Sequence, residues 1–170
     1  QYAKEQGETD PVVPLLVVQV RDGDTAATQT AVARAVEAVF EEWTDLPTQS
    51  FANVFGEHQD LSVNQVSVPY VKPETVQESE WIRVLFAKTA ISTGWDCPRA
   101  EVLVSFRPAV DRTHITQLLG RMVRTPLARR IPGNQVLNSV ECLLPFFDRK
   151  TATEVAEELM RGATGNGDGD

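Results

Sequence analysis

Short apolar runs alternate along the chain with longer segments in which apolar residues recur at helical spacing. The run from Pro14 to Val20 (PLLVVQV) is rich in β-branched residues and predicts a buried strand. After the turn that follows it, apolar residues recur every three or four positions as far as about Trp43, and Pro47 comes soon after. We therefore expect a helix that begins near Thr25, with Asp24 as its N-cap.

The second half of the chain has the same order of strands and helices. Apolar, β-branched runs predict strands at 81–87 (WIRVLFA), at 101–106 (EVLVSF) and within 136–146, with a loop over 88–99. Helical spacing predicts helices over 113–125, stopped by Pro126, and over 151–161, capped by Thr151 or Thr153.

The stretch from Thr48 to Pro73 has the weakest pattern in the chain. Within it, residues 63–68 alternate between apolar and polar and predict one strand, and residues 75–80 predict a helical turn. Strands that alternate with helices are typical of a mainly parallel sheet covered on both faces. We expect one doubly wound α/β domain over 11–161, a polar extension over 1–10 and a disordered tail over 162–170.

Composition excludes several classes of protein. With 42% hydrophobic residues among 170, the chain does not have the composition of a disordered protein. Its apolar runs are far shorter than the roughly 20 residues that span a bilayer, so we expect no membrane segment. Two cysteines and two histidines, none at metal-binding spacing, predict no metal site and a cytoplasmic protein. The polar, acidic residues 1–10 predict no signal peptide, and from the absence of an initial Met we expect a piece of a longer protein.

Charge is distributed unevenly along the chain. The formal net charge is -8, yet residues 81–130 contain nine basic side chains and three acidic ones. Eight of the nine are arginines, the side chain best suited to bidentate contact with phosphate. This basic block favours a phosphate-bearing partner, although a solvated charged surface would have the same composition.

The helix expected over 113–125 has two different faces. Five apolar residues cluster on one side and should face the sheet: Ile115, Leu118, Leu119, Met122 and Val123. The opposite side carries His114, Gln117, Gly120, Arg121 and Arg124. Of these, Gln117, Arg121 and Arg124 fall in one narrow stripe. Arginines one turn apart repel each other unless an anion lies between them, so the stripe indicates an anionic ligand. Two arginines on a solvated face are the alternative.

The loop expected after the strand at 81–87 combines glycine with an acid. Gly94 permits a close approach of the backbone to a ligand, and Asp96 lies where doubly wound folds place their ligands. A carboxylate in this position commonly binds a ribose hydroxyl. The alternative is that Asp96 caps a turn while Trp95 packs into the core.

These two segments resemble conserved motifs of the superfamily 2 helicases. Residues 88–98 (KTAISTGWDCP) resemble motif V, and residues 117–124 (QLLGRMVR) resemble motif VI, which reads Q-x-x-G-R-x-x-R. The Gly-Trp-Asp-Cys-Pro form of motif V resembles the branch that contains the Res subunits of type III restriction enzymes. The resemblance covers roughly 11–161 and is specific in these two motifs.

The resemblance implies the second RecA-like domain of an ATP-dependent DNA helicase or translocase, with RNA not excluded. ATP with Mg²⁺ would be bound mainly by the N-terminal RecA-like domain of the same parent protein, since this chain has neither a Gly-Lys nor an Asp-Glu dipeptide. Arg121 and Arg124 would act as arginine fingers with Gln117 beside them, and Gly94 and Asp96 would contact the nucleotide. The expected nucleic-acid contacts are Lys88, Thr89, Arg107 and Arg21.

Two other functions fit the same residues. One is a RecA-like domain that binds nucleic acid or protein without catalysis. The other is an unrelated α/β nucleotide-binding enzyme that uses Asp96 for ribose.

Overall fold

The computed structural model describes residues 13–88, 95, 97–122 and 141–164, with only the backbone described at 121–122 and 162–164. In chain order the regular elements are β1 (Leu15–Gln19), α1 (Thr25–Glu42), β2 (Phe51–Asn53), β3 (Leu61–Val63), β4 (Val66–Val68), β5 (Val84–Ala87), β6 (Ala100–Ser105), α2 (Arg112–Met122), β7 (Glu141–Leu143) and α3 (Arg149–Thr164). Short 3-10 turns lie at Thr48–Ser50 and Pro73–Thr75.

A five-stranded sheet forms the centre of the molecule, in the order β2-β5-β1-β6-β7. Every pair of neighbouring strands in it is parallel. All five carboxyl ends therefore lie along one edge of the sheet, and all five amino ends along the other. The expected α/β class with a parallel sheet is confirmed.

Side chains that alternate along the strands supply two separate cores. On β1, Leu15 and Val17 face one core, while Val18 faces the other. The first core includes residues of α2 and α3, and the second includes α1 and the β3–β4 hairpin. Strands buried on both faces are what the continuous apolar run in β1 predicts. Helices thus cover both faces, as expected.

The first helix matches its prediction closely. It begins at Thr25, and the Asp24 carboxylate accepts a hydrogen bond of 2.8 Å from the amide of Ala27. A side-chain oxygen before a helix satisfies one of the amides that the first turn leaves unpaired. Local sequence therefore determines this boundary.

The strand expected at 63–68 is instead a two-stranded antiparallel hairpin outside the main sheet. Asn64 and Gln65 form its turn, both with positive φ (49° and 64°). Apolar residues alternate here as they do in strands, but the chain reverses direction in the middle of the segment. The side-chain amide of Asn64 donates to the Glu37 carboxylate of α1 at 2.8 Å. This contact joins residues 27 positions apart, so the local pattern does not predict it.

Other boundaries also differ from the sequence prediction. The strand expected from Trp81 begins at Val84, because Trp81 is exposed while the backbone before the strand forms turns. The last helix begins at Arg149, so neither Thr151 nor Thr153 caps it; the Thr153 hydroxyl donates back to the carbonyl of Arg149. This helix also continues to Thr164, into the segment expected to be a disordered tail. The predictions for 123–140 and 165–170 lie outside the described residues.

A buried arginine holds together the amino-terminal edge of the sheet. Arg99, which is 2% exposed, donates to the carbonyl oxygens of four residues that precede or flank the strands: Val13, Val76, Ser79 and Ile82. Burial lowers the pKa of its guanidinium. Only a planar group with five donors can serve so many carbonyls in one place.

Replacing Arg99 should therefore destabilise the fold. Arg99→Leu leaves several buried carbonyls without donors, at about 1–3 kcal/mol each, so we expect a loss of at least about 3 kcal/mol in the free energy of unfolding in urea. The free energy of unfolding of Arg99→Lys should lie between those of wild type and Arg99→Leu, because an ammonium lacks the planar fork. Arg34→Leu, on the exposed side of α1, is the control and should change stability by less than about 0.5 kcal/mol. Wild-type stability in Arg99→Leu would contradict this role.

Candidate nucleic-acid and nucleotide interface

A buried amide joins three strands at the carboxyl-terminal edge of the sheet. Gln19, the last residue of β1, is fully buried. Its Nε2 donates to the carbonyl of Lys88 at 2.7 Å, and its Oε1 accepts from the Ser105 hydroxyl at 2.7 Å. Because β5 and β6 lie on either side of β1, these bonds fix the ends of both neighbours. The residues that follow the three strands are thereby held along one edge.

Lys88 follows β5 and lies mostly below the surface, with 8% of the residue exposed. Its Nζ forms an ion pair of 2.7 Å with Glu57, whose side chain is 55% exposed, and lies 5.1 Å from the centre of the Phe55 ring. The hydrogen bond from Lys88 lowers the pKa of Glu57. The structure therefore places a cation at the predicted position but gives it an intramolecular partner.

The loop that carries Glu57 is held in place by its next residue. His58 has a left-handed backbone (φ 53°), and its amide donates to the carbonyl of Phe55 at 3.1 Å. Its ring stacks on Tyr70, with the ring centres 4.6 Å apart. These contacts fix the turn that directs the Glu57 carboxylate to Lys88.

A hydroxyl lies in the same pocket as the Lys88 side chain. Thr25, Thr28, Phe55, Glu57 and Lys88 line this pocket at the beginning of α1. Within the part of the chain that the structure describes, the buried Thr28 Oγ1 has no hydrogen-bond partner. Lys88 therefore shares this pocket with a hydroxyl that is shielded from solvent.

The other two predicted cations that the structure describes also lie along this edge. Arg107, after β6, forms an ion pair of 3.2 Å with Asp22. Arg21, after β1, donates from Nε to the carbonyl of Phe106 at 2.8 Å, and its guanidinium carbon lies 4.4 Å from the centre of the Phe146 ring. Lys88, Arg21 and Arg107 thus follow three adjacent strands, and the structure brings all three to one edge.

The described members of the basic block at 81–130 do not lie on one surface. Arg83 lies at the opposite edge, where it donates to the carbonyl of Pro14 and stacks over Trp43. Arg99 is buried in its carbonyl network, and Arg112 pairs with Glu154 and Glu158 on α3. These arginines are close in sequence but distant in space, because residues before a parallel strand and residues after it lie at opposite edges of the sheet.

Helix α2 has the two faces that its spacing predicts. Ile115, Leu118 and Leu119 are buried against the sheet, and Gln117 is exposed. Arg121 lies one helical turn after Gln117, so the two share a face by position. One assignment changes: Gly120, expected on the open side, approaches α3, where an added Cβ would lie 3.8 Å from Leu159. The helix begins at Arg112, and the carboxylate of Asp111, just before it, accepts a hydrogen bond from the amide of Thr113.

Two described residues of the motif V segment are structural. The indole of Trp95 donates to the carbonyl of Pro73 at 3.1 Å and packs against the first core, and Cys97 is buried in it. The expectation that Trp95 packs into the core is thus confirmed. Four predicted site residues lie outside the described residues: Thr89, Gly94, Asp96 and Arg124. For Arg121 the structure describes the backbone alone.

Sequence reasoning missed the side chains that pair with the cations. Glu57 and Asp22 stand 31 and 85 positions from their partners, so no local pattern connects them. Gln19 left a weak signal, as a polar residue in the apolar run LLVVQ. Among the described residues, no three acidic, histidine or cysteine side chains lie together as a metal site would require, and no described helix is long and apolar enough to cross a membrane.

No protein-family model matches the chain, and no curated protein does so either. Solved structures do match, and one of them is the crystal structure of the C-terminal part of the Fun30 ATPase domain. The two chains are 11% identical, with a TM-score of 0.40, over 89% of this chain and 48% of that one. This chain thus spans about half the length of that structure.

Proposed function

We propose that this chain is the second motor domain of an ATP-dependent nucleic-acid helicase or translocase, acting on DNA and resembling the Res subunits of type III restriction enzymes. One observation carries the proposal. The motif V segment begins at the carboxyl end of β5, and the helix that carries most of motif VI follows the carboxyl end of β6. Both strands flank β1, so the strand ends that lead into the two motifs lie about 10 Å apart on the ligand-binding edge of an α/β sheet.

The donors along this edge suit a sugar-phosphate backbone. Lys88 follows β5 and lines a pocket there, and Arg21 and Arg107 follow the next two strands. In this proposal Thr89 adds a further donor beside Lys88. Such contacts position a backbone without reading its sequence, and RNA would satisfy them as DNA does.

The nucleotide would be held between this domain and a first motor domain that carries the phosphate loop and the Mg²⁺ ligands. Asp96 would bind the ribose hydroxyls, next to Gly94. Arg121 and Arg124 would face the terminal phosphate, with Gln117 linking that site to the nucleic acid. ATP supplies the phosphoryl group, and guanidinium groups stabilise the negative charge that develops as it transfers.

The backbone contacts predict a binding defect that depends on salt and not on sequence. Lys88→Ala and Arg107→Ala should each weaken the affinity of this chain for an oligonucleotide, and each should reduce the slope of log affinity against log salt by about 0.7–0.9. Fluorescence anisotropy over a salt titration measures both quantities. Arg83→Ala, at the opposite edge, is the matched control and should leave affinity unchanged. Unchanged affinity in both edge variants would show that nucleic acid binds elsewhere.

The arginine-finger role predicts a defect in turnover with little change in nucleotide binding. In the two-domain protein, Arg124→Lys should reduce kcat for ATP hydrolysis by at least about tenfold, because a lysine lacks the planar fork. Arg121→Ala should reduce it at least as much, while the dissociation constant for ATP changes far less. Arg129→Ala and Arg130→Ala are controls beyond Pro126. Wild-type turnover in both finger variants would leave this helix face as an ordinary solvated surface, and turnover by the 170-residue chain alone would contradict the division between two domains.

A further inference from the structure

The charges along the carboxyl-terminal edge balance one another. Lys88 pairs with Glu57 and Arg107 pairs with Asp22, at 2.7 and 3.2 Å. Arg21 is engaged by a carbonyl and an aromatic ring. A polyanion that approaches this edge therefore meets two carboxylates as well as the cations it would bind. The affinity of the edge must depend on these acids.

In both ion pairs the acid is the outer member. The side chains of Lys88 and Arg107 are 10% and 24% exposed, whereas those of Glu57 and Asp22 are 55% and 56% exposed. Each carboxylate thus lies between its cation and the solvent. A phosphate that binds either cation therefore competes with a carboxylate oxygen for it.

Such an exchange is chemically close to even. A backbone phosphate carries one negative charge and offers oxygens to the same donors, as a carboxylate does. The acids are mostly solvated and can return to water without leaving a buried charge behind. The cations would remain where they are while their partners change.

We propose that Glu57 and Asp22 occupy the phosphate positions in the free domain, and that backbone phosphates displace them when nucleic acid binds. The two acids then lower the affinity of the edge for nucleic acid, so that a bound strand dissociates more readily. This inference rests on the proposed function, because it assigns the ligand of the same edge.

Removing either acid should strengthen binding. Glu57→Gln and Asp22→Asn keep the shape of the side chain and remove its charge, and each should raise the affinity about two- to fivefold, the range of an exposed ion pair. The double variant should combine both gains. Binding of a fluorescein-labelled oligodeoxythymidine of about 20 nucleotides to the 170-residue chain, followed by anisotropy near 0.1 M salt, gives the ratio directly.

A matched control separates local exchange from overall charge. Glu42→Gln removes the same charge from the far end of α1, about 27 Å along the helix from Thr25 and well beyond the screening length of about 10 Å. It should leave the affinity within experimental error of wild type. The gain from Glu57→Gln should also vanish when Lys88 is replaced by Ala, because no cation then remains to be released.

The outcomes distinguish this inference from the proposed function. If Lys88→Ala weakens binding while Glu57→Gln and Asp22→Asn match Glu42→Gln, the edge binds nucleic acid and the exchange is overturned. If Lys88→Ala, Arg107→Ala and both acid variants all bind like wild type, or if neither the wild type nor any variant binds, the edge is not the interface and both proposals fail. Thermal melting curves that match wild type for both acid variants exclude an effect through folding.

Discussion

The carboxyl-terminal edge of this domain depends on one buried amide. Gln19 is the only polar side chain of β1, the central strand, and it lies entirely within the protein. Burying an amide is unfavourable unless its donors and acceptors are paired, and here the partners come from the ends of β5 and β6. The requirement to satisfy Gln19 therefore fixes three strand ends relative to one another. Lys88, Arg21 and Arg107 follow those ends, so the amide determines where the cations lie.

The two edges of the sheet use arginine and lysine in opposite ways. At the amino-terminal edge, Arg99 is sealed among carbonyl oxygens and stabilises the fold. At the carboxyl-terminal edge, Lys88 and Arg107 have acidic partners that solvent can reach. A guanidinium bound to buried carbonyls cannot be released without unfolding, whereas an outer carboxylate can exchange. Arginine thus serves the fold at one edge, and in our proposal it contacts phosphate at the other.

Features that depend on local sequence were predictable, and features that depend on distant contacts were not. The buried strand at Leu15–Gln19 and the cap at Asp24 follow from residues within one or two turns. The buried face of α2 follows from spacing alone. The hairpin turn at Asn64 depends on a contact with α1, and the role of Arg99 depends on carbonyls up to 86 positions away. The acids that neutralise the edge could not be found for the same reason, since ion pairs across a sheet leave no periodic signal.

The central claim is that nucleic acid binds along the carboxyl-terminal edge of the sheet. Mapping the backbone amide shifts of the isotope-labelled chain by NMR, as an oligonucleotide is added, tests it residue by residue. The account predicts that the largest shifts occur at Arg21, Glu57, Lys88 and Arg107, while the indole signals of Trp43 and Trp81 near the opposite edge stay in place. Shifts confined to Trp43, Trp81 and Arg83 would contradict it, because they would place the ligand at the edge that Arg99 seals.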